Sequence, residues 1–374
     1  MKRVAYSLII CFVFSIIFSF SYPIEANDLS QKQGSDYNEN TLKTLSFKEQ
    51  LSIVNPTCEE VDRLTTEEMA DLALKYPFLG DFWIMDSTAA YIQYLSRTSY
   101  LFEQLFSRDD VYKVLLKKLD ELYIDTSILY SKSGDSFEKS GYIKWIFLNK
   151  FFIYNFDKLN DNEKGILLEI LDKKKQPGFM MFETEKNLDA EIKYKSIVNG
   201  TKSDGFNSSG QVISYNGGYY YPGVYIKYGT SASCYQFSYG DLTQTEINNI
   251  LNYMNTYHSN WNKITDPTRK FNCHAYAWIN SSSSNIYWLP SPNSFKNASS
   301  YFTYIGDCCS TNTGDHIVVY DNYGVSQHSL IVTSGGNPQY TNVYTRSKCG
   351  LAGIYDVEIT DIVMAYGSGY EVYR

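Results

Sequence analysis

A cysteine at the start of a helix and a histidine at the head of a strand are the residues of this sequence best suited to chemistry. Cys273 lies in Phe271-Asn272-Cys273-His274-Ala275-Tyr276-Ala277-Trp278. Asn272 suits a helix N-cap, and the residues after it predict a helix with one aromatic face. Cys273 then falls in the first turn, where unpaired N–H groups and the positive end of the helix dipole favour an anion. A thiolate is such an anion, so a lowered thiol pKa and an active nucleophile are expected. The same N–H groups, with the side chain of Asn272, suit the oxyanion of an acyl-transfer intermediate. Further on, Gly314-Asp315-His316-Ile317-Val318-Val319-Tyr320 and Gln327-His328-Ser329-Leu330-Ile331-Val332-Thr333 flank the turn Asp321-Asn322-Tyr323-Gly324. These predict two strands joined as a hairpin, with His328 opening the second. Cys273 and His328 are therefore expected to act as nucleophile and general base.

A base histidine works best when a third group holds its ring and selects its tautomer. A third strand is expected from near Thr341 to Cys349, beside the one headed by His328. Alternation puts Asn342, Tyr344, Arg346 and Lys348 on one face and Val343, Thr345 and Ser347 on the other. Without a bulge, only one of Asn342 and Ser347 points at His328. Asn342 is favoured, because an amide oxygen accepts from a ring N–H without competing for the proton. Ser347 and, beyond the strand, Asp356 are the alternatives. His274 is expected to be structural, His316 and His258 to be bystanders, and Asp315 to fix the turn into its strand. Cys273, His274, His328 and Cys349 contain no Cys-x-x-Cys or His-x-x-x-His pair, so neither metal nor organic cofactor is expected.

The elements that must position these residues fall into two halves. Residues 27–55 are polar and read as a flexible leader. Residues 56–195 read as an α-helical domain. Thr65-Thr66-Glu67-Glu68 is a capping box, with Met69, Leu72 and Ala73 on one face and Pro77 ending the helix. Ser87 opens a helix with a stripe of Tyr91, Tyr94, Leu95, Leu101, Phe102 and Leu105. Ser107 opens the next, with Val111, Val114, Leu115, Leu119 and Leu122, and Asn160-Asp161-Asn162-Glu163 caps a later one. Near Gln176-Pro177-Gly178 the composition shifts to Gly, Ser and Tyr, with short alternating runs that predict strands. Residues 196–374 read as an α+β domain, with Thr243-Gln244-Thr245-Glu246 capping a helix and Asp266-Pro267 turning into the cysteine helix.

The chain of 374 residues carries a formal net charge of −8, which argues against a nucleic-acid partner. Its 35 tyrosines fit a compositional bias better than a binding surface. Lys2 and Arg3 followed by the apolar run from Val4 to Phe20 predict a signal peptide, taken here as residues 1–26. No later segment is apolar enough to span a membrane, so a secreted or cell-surface protein is expected. Cys58, Cys234, Cys273, Cys308, Cys309 and Cys349 follow the leader. A free Cys273 leaves an odd number, so at least one further thiol is unpaired.

The motif residues resemble the papain-like cysteine hydrolases of bacterial cell walls, of the NlpC and CHAP types. In those a cysteine opens a helix, a Gly-Asp pair precedes a strand, and a histidine heads the next strand. Cys273, Gly314-Asp315 and His328-Ser329-Leu330-Ile331-Val332 fill those places in order. The chain is also similar to a group of secreted Gram-positive proteins with Asn-Cys-His-Ser-Tyr-Ala-Trp and a late Ser-Lys-Trp-Gly. It has Ala275 for the Ser, and Ser347-Lys348-Cys349-Gly350 for the last motif. A histidine that often follows in that group is replaced here by Ile354-Tyr355-Asp356-Val357. The resemblance implies an α+β fold with the cysteine helix packed on an antiparallel sheet. It also implies hydrolysis of amide bonds in peptides or peptidoglycan stem peptides through a thioester. A non-catalytic binding protein with an unused dyad and a cysteine acyltransferase are the other readings.

Overall fold

The computed structural model of the protein describes residues 39–123, 141–173, 213–215, 218–306, 310–337 and 343–374. The expected signal peptide, the Gln176-Pro177-Gly178 break, the boundary at 195/196, Cys308, Cys309 and Asn342 lie outside them. The fold is mixed α+β, a helical region followed by antiparallel sheets. Asn38–Arg374 forms one compact unit, so the two regions are not separate bodies.

Part of the expected leader is folded. Helices Glu39–Leu42 and Phe47–Val54 occupy it, with Phe47 and Leu51 buried. Ser46 and Glu49 form a capping box whose reciprocal hydrogen bonds outweigh the polar composition. Helix Thr66–Ala73 has its Thr65–Glu68 capping box, and Pro77 opens a 3-10 helix, Pro77–Trp83, where its missing N–H costs nothing. The stripe read from Tyr91 to Leu105 is broken by extended backbone at Ser99, giving helices Thr88–Thr98 and Tyr100–Ser107. Ser107 closes the second of these by donating to the Gln104 carbonyl, and Val111–Glu121 starts after Asp110, whose side chain accepts from Thr66 instead of capping. Tyr142–Asn155 is buried nearly all round, Asn149, Lys150 and Asn155 included, with the Asn149 and Asn155 amides donating to carbonyls one turn earlier.

Strands β1 (Ile213–Tyr215), β2 (Gly218–Lys227) and β3 (Thr230–Tyr239) form antiparallel pairs, completed by β5 (Tyr287–Trp288) at the edge. β4 (Asn262–Lys263), β6 (Tyr304–Gly306), β7 (His316–Tyr320), β8 (Ser326–Ser334), β9 (Tyr344–Cys349), β10 (Gly353–Glu358) and β11 (Gly369–Tyr373) make a seven-stranded sheet. Its order is β4-β10-β9-β8-β7-β11-β6. The expected hairpin is β7–β8, with Val319 opposite His328 and Ile317 opposite Leu330. β9 starts at Tyr344, later than expected, and Asp356 lies within β10.

The helical region is fastened to the sheet region through a buried carboxylate. Asp81 accepts from Tyr253 Oη at 2.8 Å, from His258 Nε2 at 2.7 Å and from Tyr94 Oη. His258, expected in a polar loop, is buried at the end of helix Gln244–Tyr257 and lies against Trp261. Arg97 donates to the carbonyls of Met364 and Ala365, which end helix Ile359–Tyr366. Among the described residues no helix is long and apolar enough to cross a membrane.

Candidate active site

The helix Cys273–Trp278 is short and wholly buried, so its start needs a strong anchor. Asn272 supplies it. Its Oδ1 accepts from the N–H groups of Ala275 and Leu289, both at 3.0 Å, and its Nδ2 donates to the Leu289 carbonyl at 2.8 Å. This is the expected cap, but the amide is engaged in fastening the helix, which corrects its expected share in an oxyanion hole. The helix packs on β8 and β9. Ser329 Oγ pins it there, meeting His274 Nδ1 at 2.7 Å and accepting from Trp278 Nε1 at 3.0 Å. Burial holds His274 down to a pKa of about 3, so it is a neutral packing residue.

Cys273 and His328 come together at the junction of this helix with β8, and both are fully buried. The thiol sulfur, a ring nitrogen of His328 and a carboxylate oxygen of Asp86 all lie within 4.8 Å of one another. His328 Nε2 lies 2.8 Å from Ser347 Oγ, while its Nδ1 has no hydrogen-bond partner. The ring stacks on Tyr366 with centroids 3.7 Å apart. Ser347 is therefore the residue that meets the histidine. Asp356 is turned to a bidentate pair with Arg346 at 2.6 and 2.7 Å, which corrects its expected place beside the base. Asp315 pairs with Arg374 and accepts from the Asn312 N–H.

Asp86 was not among the expected site residues. It follows the segment Trp83-Ile84-Met85, which is fastened to the turn after β9 and to helix Ile359–Tyr366. Leu351 and Ala352 donate to the Trp83 carbonyl at 2.6 and 3.2 Å, and Tyr366 Oη donates to the Ile84 carbonyl. Cys273 Sγ donates to Asp86 Oδ2 at 2.8 Å. Asp86 Oδ1 is sealed from solvent and unpartnered, although the residue as a whole is only half-buried.

These surroundings reverse the electrostatics expected for the thiol. Burial, followed by the charge of Asp86 and its hydrogen bond, pushes the Cys273 pKa well above its ordinary value; only the Ser329 backbone N–H works the other way. Burial holds His328 well below its ordinary value, reinforced by His274 and Lys348. Burial raises Asp86 to about 6, against the pull of the Cys273 hydrogen bond and Lys348. Lys348, fully buried and donating to the Gly350 carbonyl, is lowered to about 8 by burial. The resting site thus holds a neutral thiol and a neutral imidazole.

Ser87, expected to open a helix, does cap it by accepting from the Ala90 N–H. Nothing local marks Asp86 as a partner of a cysteine far along the chain. Lys348 had a weak signal, since a lysine between Ser347 and Cys349 sits in a strand whose neighbours are apolar or small. Among the described cysteines Cys58, Cys234, Cys273 and Cys349 are free thiols. No protein-family model matches the chain, and neither a curated protein nor a solved structure does.

Proposed function

We propose that the protein is an exported cysteine hydrolase that cleaves amide bonds of peptides, with peptidoglycan stem peptides as the substrate class the motif resemblance suggests. The observation that carries this reading is the meeting of Cys273 with a histidine whose Nε2 is held by Ser347 and whose Nδ1 is free. In the proposed reaction His328 Nδ1 takes the thiol proton and the sulfur attacks the amide carbonyl carbon. Main-chain N–H groups of the first helical turn hold the oxyanion. The C–N bond breaks as the imidazolium protonates the leaving amine. Water, deprotonated by His328, then attacks the thioester, and thiol and carboxylic acid leave. A signal peptide over residues 1–26 would deliver the enzyme to the cell surface.

The resting geometry requires one further event. The thiol is fully buried and donates to Asp86, so substrate reaches it only when the residues over it, Asp86 among them, move aside. The same closure favours a second reading, a non-catalytic binding protein with an unused dyad. Digestion of purified peptidoglycan, with mass spectrometry of the fragments, separates the two. Hydrolysis lost in Cys273→Ala and His328→Ala and retained in His274→Ala supports the enzyme. Absence of new fragments from correctly folded protein, with and without limited cleavage near residue 86, supports the binding protein.

A further inference from the structure

Asp86, Cys273 and His328 bring one carboxylate oxygen, one sulfur and one imidazole nitrogen within 4.8 Å from three distant parts of the chain. From this cluster we infer a binding site for a single thiophilic divalent cation of the zinc type, with these three side chains as its ligands. Three protein ligands and a fourth open position are a common zinc arrangement. Two polar atoms at the cluster are buried and unpartnered, Asp86 Oδ1 and His328 Nδ1, and His328 is fully buried. Such atoms ordinarily find a partner, and a cation would serve both. Ser347 lies 2.8 Å from Nε2, placed as ligand-holding groups are: as the acceptor of an Nε2–H it would leave Nδ1 a lone pair for the ion. The ion would replace the thiol proton now given to Asp86 Oδ2, so its charge is balanced by one carboxylate and one thiolate.

Lys348 lies close enough to interact electrostatically with Asp86 and Cys273, and it opposes any cation. The sulfur ligand favours an ion with a strong thiolate bond over magnesium and calcium, which gain little from it. Binding is independent of the hydrolase reading. If that reading holds, the ion also covers both nucleophile and base, and zinc inhibits the enzyme.

The test is titration of the full chain with cobalt(II), in a Cys11→Ser/Cys58→Ser/Cys308→Ser/Cys309→Ser background that leaves only Cys273 and the buried Cys234 and Cys349. The expected result is a thiolate-to-cobalt charge-transfer band in the near ultraviolet that saturates at one equivalent. Zinc should displace it and magnesium should not. Cys273→Ser should abolish the band, and Asp86→Asn, His328→Ala and Ser347→Ala should each weaken affinity by at least about tenfold. Where Cys273→Ser fails to fold, Asp86→Asn, which preserves size and an acceptor, carries the comparison. No band while Cys273 remains titratable as a free thiol after denaturation overturns the site. So does a band of unchanged affinity in both Asp86→Asn and His328→Ala. Peptidoglycan digestion by the metal-free protein, run in parallel, reports on the hydrolase reading separately.

Discussion

At the scale of the residue, the environment of Cys273 sets how the protein can react. A thiolate beside the Asp86 carboxylate would place two negative charges at contact distance inside the protein, so the proton stays on sulfur. Iodoacetamide should therefore label Cys273 much more slowly than the exposed Cys58 at neutral pH, with a reactive limb displaced to higher pH. Asp86→Asn should shift that limb back down. Peptide mass spectrometry over time follows both sites in one sample, and equal rates at neutral pH would show that the thiol is neither closed off nor held protonated. Asp86 also links stability to pH. Its folded pKa, raised by burial to about 6, exceeds the unfolded value near 3.8. The folded state is thus favoured while the carboxyl is protonated. That contribution is fully present below the unfolded pKa and is lost as pH rises through about 6. The ceiling is on the order of 3 kcal/mol, from two pKa values about two units apart. Thermal melts should show wild type losing ground to Asp86→Asn between pH 4 and 7, and parallel curves would remove Asp86 as the cause.

At the scale of the element, the decisive contact is between the turn after β9 and the segment Trp83–Asp86. Gly350 has φ of +44°, and a Cβ there would stand 2.5 Å from both the Trp83 carbonyl oxygen and the Ile84 carbonyl carbon. Only glycine allows that approach, and the two N–H groups that follow it, Leu351 and Ala352, then reach the Trp83 carbonyl. Gly350→Ala should lower stability by about 2 kcal/mol or more, through strain and loss of these bonds. It should also speed alkylation of Cys273, because the displaced segment uncovers the thiol. Gly369→Ala, where a Cβ meets nothing within 4 Å, is the control and should leave both unchanged. A stable Gly350→Ala protein with the labelling rate of wild type would show that this turn does not hold the site shut.

At the scale of the molecule, Asp81 makes the helical and sheet regions one body. It gathers Tyr94 from the helical region, and Tyr253 and His258 from helix Gln244–Tyr257 and its end, with no exposure of any of the four side chains beyond a few per cent. Gly80 lies against the ring of Tyr253 in the same place. Asp81→Ala leaves three buried donors without an acceptor, each worth about 1–3 kcal/mol, so a loss of at least about 3 kcal/mol is expected. Unfolding of wild type should be a single transition by tryptophan fluorescence and by far-ultraviolet circular dichroism. In Asp81→Ala the two probes should separate. A small loss with coincident transitions would mean that packing, rather than this carboxylate, joins the regions.

The sequence by itself determined what depends on near neighbours. The Thr65–Glu68 and Thr243–Glu246 capping boxes, the Asn272 cap on the cysteine helix and the β7–β8 hairpin follow from short spacings, and they stand in the structure. The structure departs from expectation at the Ser46–Glu49 box, whose reciprocal bonds fold a polar stretch, and at Ser99, whose extended backbone breaks the Tyr91–Leu105 stripe. Tertiary structure alone decided the character of the site. The helix position of Cys273 favours a thiolate, but burial and a carboxylate supplied from 187 residues away oppose it and win. Alternation along β9 left Asn342 and Ser347 as rivals on opposite faces, and the meeting of His328 with Ser347 depends on how β8 and β9 are aligned. Register, burial and long-range charge arise only when distant segments pack. No spacing within the chain encodes them, which is why Asp86 was invisible until the fold brought it to Cys273.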